Sequence, residues 1–138
     1  MGIESQALTK QTYMIDDYLL DTTVVVDYLR DIHNAVIFIE SLKTPVISII
    51  SVAELYQGAR SKRELILIQD ILKYFQIIHI NEAISQQAIQ LLQKYTLSHG
   101  LLILDAIIAA TAQENKKILI SANVKHFVYI PKLTVKNI

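Results

Sequence analysis

Three carboxylates stand out by their place in the chain: Asp21, Glu54 and Asp105. Asp21 ends the apolar run of Tyr18, Leu19 and Leu20 in YLLDTTVVVDYL (residues 18–29), Glu54 sits in SVAEL just after PVISII (residues 45–50), and Asp105 divides LLIL from AIIAA. Brought to one place, such oxygen ligands have the hardness and charge to hold Mg²⁺ or Mn²⁺. Each also has an ordinary explanation. Asp21 can cap the helix that follows it, Glu54 can pair with Ser51 in a capping box, and Asp105 can lie in a first helical turn where the dipole favours an anion. Asp105 fits that second account least well. An ionised carboxylate in the most apolar segment is costly unless it is paired or bound to a metal, and no Arg or Lys lies near it in sequence. Like charges gathered at one edge would also raise each other's pKa values unless a cation sat between them.

The elements that must position these acids follow from hydrophobic spacing. After Asp21, Val24, Val25, Tyr28 and Leu29 recur at helical intervals, which predicts a strand ending at Leu20 and a helix to about Asp31. A short helix is expected over residues 35–42, ended by Pro45, and PVISII reads as a buried parallel strand. Ser51 would then open a helix to about Ala59, followed by another over residues 64–74. QIIHI (residues 76–80) is the next predicted strand, with His79 inside it as a core histidine. Asn81 caps a long helix over residues 82–99, which Gly100 stops. LLILDAIIAATA predicts a helix buried on every side, KILIS (residues 117–121) a strand, and residues 133–135 a last edge strand. Strands alternating with helices in this way predict a mainly parallel sheet covered by helices, an α/β fold. Acids that end such strands reach the carboxyl edge, where open α/β sheets bind ligands.

With 138 residues, 52% of them hydrophobic, the chain suffices for one domain with a substantial core. Three Gly and two Pro exclude a loop-rich or collagen-like scaffold, and the absence of Cys excludes thiolate metal sites and disulfides. His33, His79, His99 and His126 show no zinc-ligand spacing. No apolar run approaches the roughly 20 residues of a membrane span, and with no secretory pattern at the start a cytoplasmic protein is expected. The net charge is zero, against indiscriminate nucleic-acid binding, but it is unevenly spread. Seven acids face two bases in the first forty residues, and Glu114 faces five lysines thereafter. Residues 1–13 are polar and aperiodic and are expected to form a flexible extension before a domain over residues 14–138.

In its motifs the chain resembles the PIN-domain nucleases, and among them the VapC-type toxins of bacterial toxin–antitoxin pairs. YLLDTTVVVDYL is similar to the opening strand and Asp-Thr/Ser motif of that family, SVAELYQGA to its glutamate block, LLILDAIIAATA to its third block, and ISANVKHF with IPKLTV to its closing segment. The resemblance implies a three-layer α/β/α fold and a Mg²⁺- or Mn²⁺-dependent endoribonuclease that hydrolyses RNA phosphodiester bonds as the toxin of a type II pair. It carries over Asp21, Glu54 and Asp105 as catalytic metal ligands, with Asn123 as a weaker fourth ligand and Ser121 and Thr22 as accessory hydroxyls. Asparagine keeps a carbonyl oxygen but gives up a charge, which bears on a second metal. A VapB-like antitoxin whose tail covers the active groove, and a homodimer, are implied as partners.

Phosphate contacts need cations outside the acidic cluster, and Arg60, Lys62, Arg63, Lys125 and His126 are candidates, each also readable as solvated charge. His126 reads more readily as a surface or packing residue than as a ligand. Tyr18, Tyr28 and Tyr56 lie near the acids and read as packing residues before base-stacking ones. Tyr56, Leu65, Ile68 and Leu72 are candidates for an exposed apolar surface. Two other classes compete. A dehalogenase-like phosphotransfer domain wants Asp two residues after the first, where Thr23 stands, and a catalytically weak or inactive interaction module of the same fold is compatible with Asn123.

Overall fold

The extended segments carry mostly Val, Ile and Leu, side chains that suit a pleated surface covered on both faces. In the computed structural model, which describes residues 17–138, they are β1 (Tyr18–Leu20), β2 (Val46–Ser48), β3 (Gln76–Ile78), β4 (Ile118–Ile120) and β5 (Val135–Lys136). The expected extension over residues 1–13, and the start of the domain at 14, lie outside the described residues. Between the strands run α1 (Thr22–Leu29), α2 (His33–Ser41), α3 (Ile49–Gln57), α4 (Lys62–Leu72), α5 (Glu82–His99) and α6 (Ile103–Glu114), with a 3₁₀ turn at Val124–His126.

The strands form one sheet in the order β3-β2-β1-β4-β5, and every pairing is parallel. Leu20 lies opposite Ile47 on one side and Ile120 on the other, so β1 and β4 end level and β2 runs one residue further. The chain moves from β1 outward to β2 and β3, then returns to add β4 on the other flank of β1. Strand order therefore reverses beside β1, the kind of place where a crevice opens at the carboxyl edge of such a sheet.

Alternate residues of each strand face opposite sides. Leu19, Val46 and Leu119 pack with Ile84, Ala88 and Leu91 of α5 and Ala106, Ile108 and Ala109 of α6. Leu20, Ile47 and Ile120 pack with Val24, Val25, Ile39, Val52, Leu55 and Ile68 of α1 to α4. These two cores, one on each face, make the three-layer α/β/α architecture. The small residues Ala106, Ala109, Ala110 and Ala112 let α6 lie close to both the sheet and α5.

Several local expectations are corrected. The strand in PVISII stops at Ser48, and Ser48, not Ser51, caps α3 by accepting the Ile50 N–H at 3.1 Å. Ser51 is buried inside the helix, so Glu54 has no capping role. β3 ends at Ile78, leaving His79 exposed beyond it. α6 is buried from Ala106 to Ala112 apart from half-buried Ile107, whereas Leu102, Ile103 and Leu104 at its start are exposed. On α4, Ile68 and Leu72 belong to the core. The exposed apolar residues there are Ile66 and Leu67. The last strand is Val135–Lys136, one to two residues later than expected, because Pro131 and the turn at Lys132 delay it. The capping of α5 by Asn81, whose Oδ1 accepts the Ile84 N–H at 2.9 Å, and its stop at Gly100 (φ 68°) are as expected.

Candidate active site at the carboxyl edge

Asp21 follows β1 directly, and the fold fixes it from all sides. Its backbone N–H donates to the Ile120 carbonyl at 2.8 Å, continuing the β1–β4 ladder by one residue. Oδ1 accepts from the Thr22 N–H at 2.8 Å, so the capping role is also present. Oδ2 accepts from the Ser121 hydroxyl at 2.7 Å and the Thr23 hydroxyl at 2.9 Å. Thr23 Oγ1 in turn accepts the Ala122 N–H at 3.1 Å, and Ser121 Oγ accepts the Asn123 N–H at 2.9 Å. The ends of β1 and β4 are thereby tied together through one carboxylate that is 4% exposed.

Glu54 reaches the same corner from α3. Thr22 Oγ1 lies 2.6 Å from Glu54 Oε1 and 2.8 Å from Ser51 Oγ. A hydroxyl has one proton to give, and an ionised carboxylate can only accept. Thr22 therefore donates to Glu54, and the Ser51 hydroxyl supplies the other proton. Ser51, read from sequence as a cap, instead braces Thr22 across 29 residues of chain.

Asp105 lies in the first turn of α6, at its positive end. Its carboxylate accepts no hydrogen bond among the described residues and meets only His126, whose Nδ1 is 3.8 Å from Oδ2. Burial pushes its pKa above the usual carboxylate value, with the charges of Asp21 and Glu54 adding to the rise and His126 opposing it. Asp105 thus lies within electrostatic reach of both Asp21 and Glu54. His126, set aside in the sequence as a surface residue, is exposed but is also the neighbour that partly neutralises Asp105.

Asn123 is exposed just before the 3₁₀ turn, and its side chain makes no hydrogen bond among the described residues. Arg60 shares with Glu54 a cleft of about 240 Å³ between α1, α3 and α4, while Lys62 and Arg63 are exposed on the first turn of α4 and do not line that cleft. Lys125 and His126 line a second cleft, of about 220 Å³, together with Asp105. Tyr18 packs edge to face on Phe38 at 5.4 Å and Tyr28 is half-buried in the core below α1, as expected; Tyr56 is exposed.

Do these residues suit a divalent cation? The donor set is oxygen only, carries three negative charges, and contains no Lys or Arg partner, so its chemistry fits Mg²⁺ or Mn²⁺. Among the described residues no three Asp, Glu or His side chains converge into a ready coordination sphere. Thr22 and Ser121 hold Glu54 and Asp21 in hydrogen bonds instead. Sequence reasoning missed the roles of Thr23 and Ser51, and weighed His126 as a phosphate contact or a surface residue but not as the neighbour of Asp105. The Asp-Thr-Thr run was a visible signal for Thr23, but the other two act across the fold.

The sequence model of the PIN domain matches residues 18–133. No curated protein matches the chain. Among solved structures, a toxin–antitoxin complex from Klebsiella pneumoniae is similar at 31% identity and a TM-score of 0.73, over 85% of this chain and 95% of that one. VapBC2 from Rickettsia felis, bound to a promoter DNA fragment, is similar at 27% identity and a TM-score of 0.76, over 88% and 98%. FitAcB from Neisseria gonorrhoeae is similar at 26% identity and a TM-score of 0.72, over 87% and 96%. The chain belongs to the PIN-domain family, and within it the likeness is to VapC-type toxins.

Proposed function

We propose that this protein is a metal-dependent endoribonuclease, the toxin of a type II toxin–antitoxin pair working in the cytoplasm. The observation that best supports the reading is that Asp21 and Glu54 come to one corner of the carboxyl edge through Thr22, while Asp105 on α6 feels the charge of both and has only His126 beside it. Asp21 and Asp105 would hold Mg²⁺ or Mn²⁺, with Glu54 beside them and the Asn123 carbonyl as a weaker ligand. When bound, the cation lowers the pKa of water, aligns it for in-line attack and offsets charge on the phosphoryl oxygens. Ser121, Thr23 and the Thr22 N–H fix the direction of the Asp21 carboxylate. Thr22 holds one oxygen of Glu54, which leaves Oε2 free to orient the attacking water.

An antitoxin partner is supported by the complexes to which the chain is similar. The cleft bounded by Val26, Leu29, Leu55 and Leu67, with Arg60 at its side and Glu54 within it, suits the tail of such a partner. No helix among the described residues is long and apolar enough to cross a membrane. A homodimer is also part of this reading, and sedimentation at micromolar concentration tests it.

The decisive experiment is cleavage of a mixed tRNA and ribosomal RNA pool by antitoxin-free protein with Mg²⁺, Mn²⁺ or EDTA, beside Asp105→Asn. Cutting that needs the metal and is lost in the variant is the expected result. Absence of cutting by folded protein, with no rise in Tm on adding metal, would instead favour a non-catalytic interaction module, which exposed, unbonded Asn123 suits.

A further inference from the structure

The second cleft beside the acids has a character that metal binding does not explain. α5 ends at His99, Gly100 turns the chain sharply in the left-handed conformation, and α6 begins three residues later. That tight corner brings His99 and Asp105 into the lining of one cleft, together with Tyr129 and Lys125 and His126 of the 3₁₀ turn. The His99 and Tyr129 rings stack almost parallel, 4.0 Å apart with 9° between their planes. Tyr95 braces both edge-on, at 5.8 Å from His99 and 5.2 Å from Tyr129. Ser98 Oγ, 2.8 Å from His99 Nδ1, fixes the histidine ring at its edge.

His99 is exposed, so this arrangement adds little core burial. It presents a prebuilt aromatic platform to solvent. Leu102, 70% exposed, supplies an apolar lip to the same cleft, and Lys125 lines it with a cation, beside His126 and Asp105. Aromatic faces for bases, with cations for the backbone, are the two components by which single-stranded nucleic acid is held. At about 220 Å³ the cleft is smaller than the roughly 300–1,000 Å³ of a pocket for a drug-sized ligand, and suits one base at a time.

We propose that this cleft is a nucleotide subsite flanking the cut, in which a single-stranded RNA base stacks on the His99–Tyr129 platform and Lys125 meets its phosphate. The proposal rests on the nuclease reading above and adds to it the residues that choose the neighbouring base. The platform shares its cleft with Asp105 and not with Glu54, so the nucleotide it holds is distinct from whatever occupies the Glu54 cleft.

The test uses the full chain, short single-stranded RNA oligonucleotides varied at one position, and Mg²⁺, with KM and kcat measured separately. His99→Ala is expected to raise KM about fivefold or more and to flatten the base preference beside the cut, given the strength of stacking on aromatic side chains. His99→Phe, which keeps a ring, is expected to restore both. Lys125→Ala is expected to raise KM for every base alike. In all three variants the rise in Tm on adding Mg²⁺ should match that of the unchanged protein, which separates the subsite from the metal centre. If the unchanged protein cuts RNA while His99→Ala and Lys125→Ala keep its KM and base preference, the subsite is overturned and the nuclease reading stands. Loss in His99→Ala that His99→Phe fails to restore overturns the stacking role. Failure of the unchanged protein to cut or bind RNA with any cation overturns both.

Discussion

Asp21 and Asp105 are both carboxylates at the same sheet edge, yet the fold treats them in opposite ways. Asp21 is almost fully buried and each of its oxygens accepts a hydrogen bond, one from a backbone N–H and two from hydroxyls. Asp105 is half-buried, accepts none among the described residues, and faces two like charges with only an exposed histidine in opposition. One is part of the framework that joins β1 to β4. The other is held in an unfavourable place by the helix that carries it. Charge repulsion left uncompensated in this way disfavours the protein alone, and in the proposed reading that cost at Asp105 is what a bound cation would relieve.

The contrast is open to direct attack, and the largest effect should come from the Asp21 side. Asp21→Asn keeps the size but replaces a charged acceptor facing two hydroxyls and an N–H, bonds of the kind worth about 1.5–3 kcal/mol each when one partner is charged. It is expected to lower stability by at least about 2 kcal/mol in urea denaturation and to abolish metal-dependent cutting. A stable Asp21→Asn would show that the hydroxyl cradle contributes nothing, and the contrast would collapse.

A smaller loss is expected from Ser121→Ala. The buried hydroxyl donates to Asp21 Oδ2 and accepts the Asn123 N–H, so its removal frees both. About 1–3 kcal/mol of stability should go with it. Metal affinity, read by titrating Mg²⁺ against Tm, should fall by about 10–100-fold, as is typical when the group orienting a ligand is lost. If stability falls and metal affinity does not, Asp21 is a structural carboxylate and the metal lies elsewhere.

How much of this was legible in the sequence follows from range. The strand end at Leu20 was visible because the apolar run stops there at Asp21, and the three acids stood out against the apolar runs around them. SVAEL misled because Ser48 and Ser51 lie three residues apart, and either could end the strand; only the register of Ser48 against Ile78 in β3 decides it. His79 was misplaced because the apolar residues Ile77, Ile78 and Ile80 run on past it, while pairing with β2 lasts for three residues. The contacts Ser51–Thr22, His126–Asp105 and His99–Tyr129 join residues 20 to 30 positions apart on different elements. No local pattern encodes such pairs. Their chemistry became readable only once the parallel order of β2, β1 and β4 had brought the loops together.

His126→Ala probes the weakest link at Asp105. The pair is exposed and 3.8 Å apart, so less than about 1 kcal/mol should be lost. A larger loss would mean that His126 holds the 3₁₀ turn in place and that its role is structural.

The smallest effect, and the one with the most distinctive sign, is expected from Asp105→Asn in EDTA. Because the folded-state pKa of Asp105 is raised above its unfolded value, the folded protein binds the proton more tightly. Stability is therefore greatest at the acid end of the window, falls as pH rises from the usual carboxylate value through the raised one, and levels off above it. Asparagine carries no charge at any pH and removes that fall. The variant should match the unchanged protein in acid and melt higher at neutral pH, by no more than a few degrees, since a side chain 34% exposed is partly screened by water. Adding Mg²⁺ should reverse the order, raising the Tm of the unchanged protein and leaving the variant where it was. Melting curves from about pH 4 to pH 8, with and without Mg²⁺, read both signs at once. Equal curves in EDTA would mean that Asp105 is as well accommodated as Asp21, and that no such cost is there for a cation to relieve.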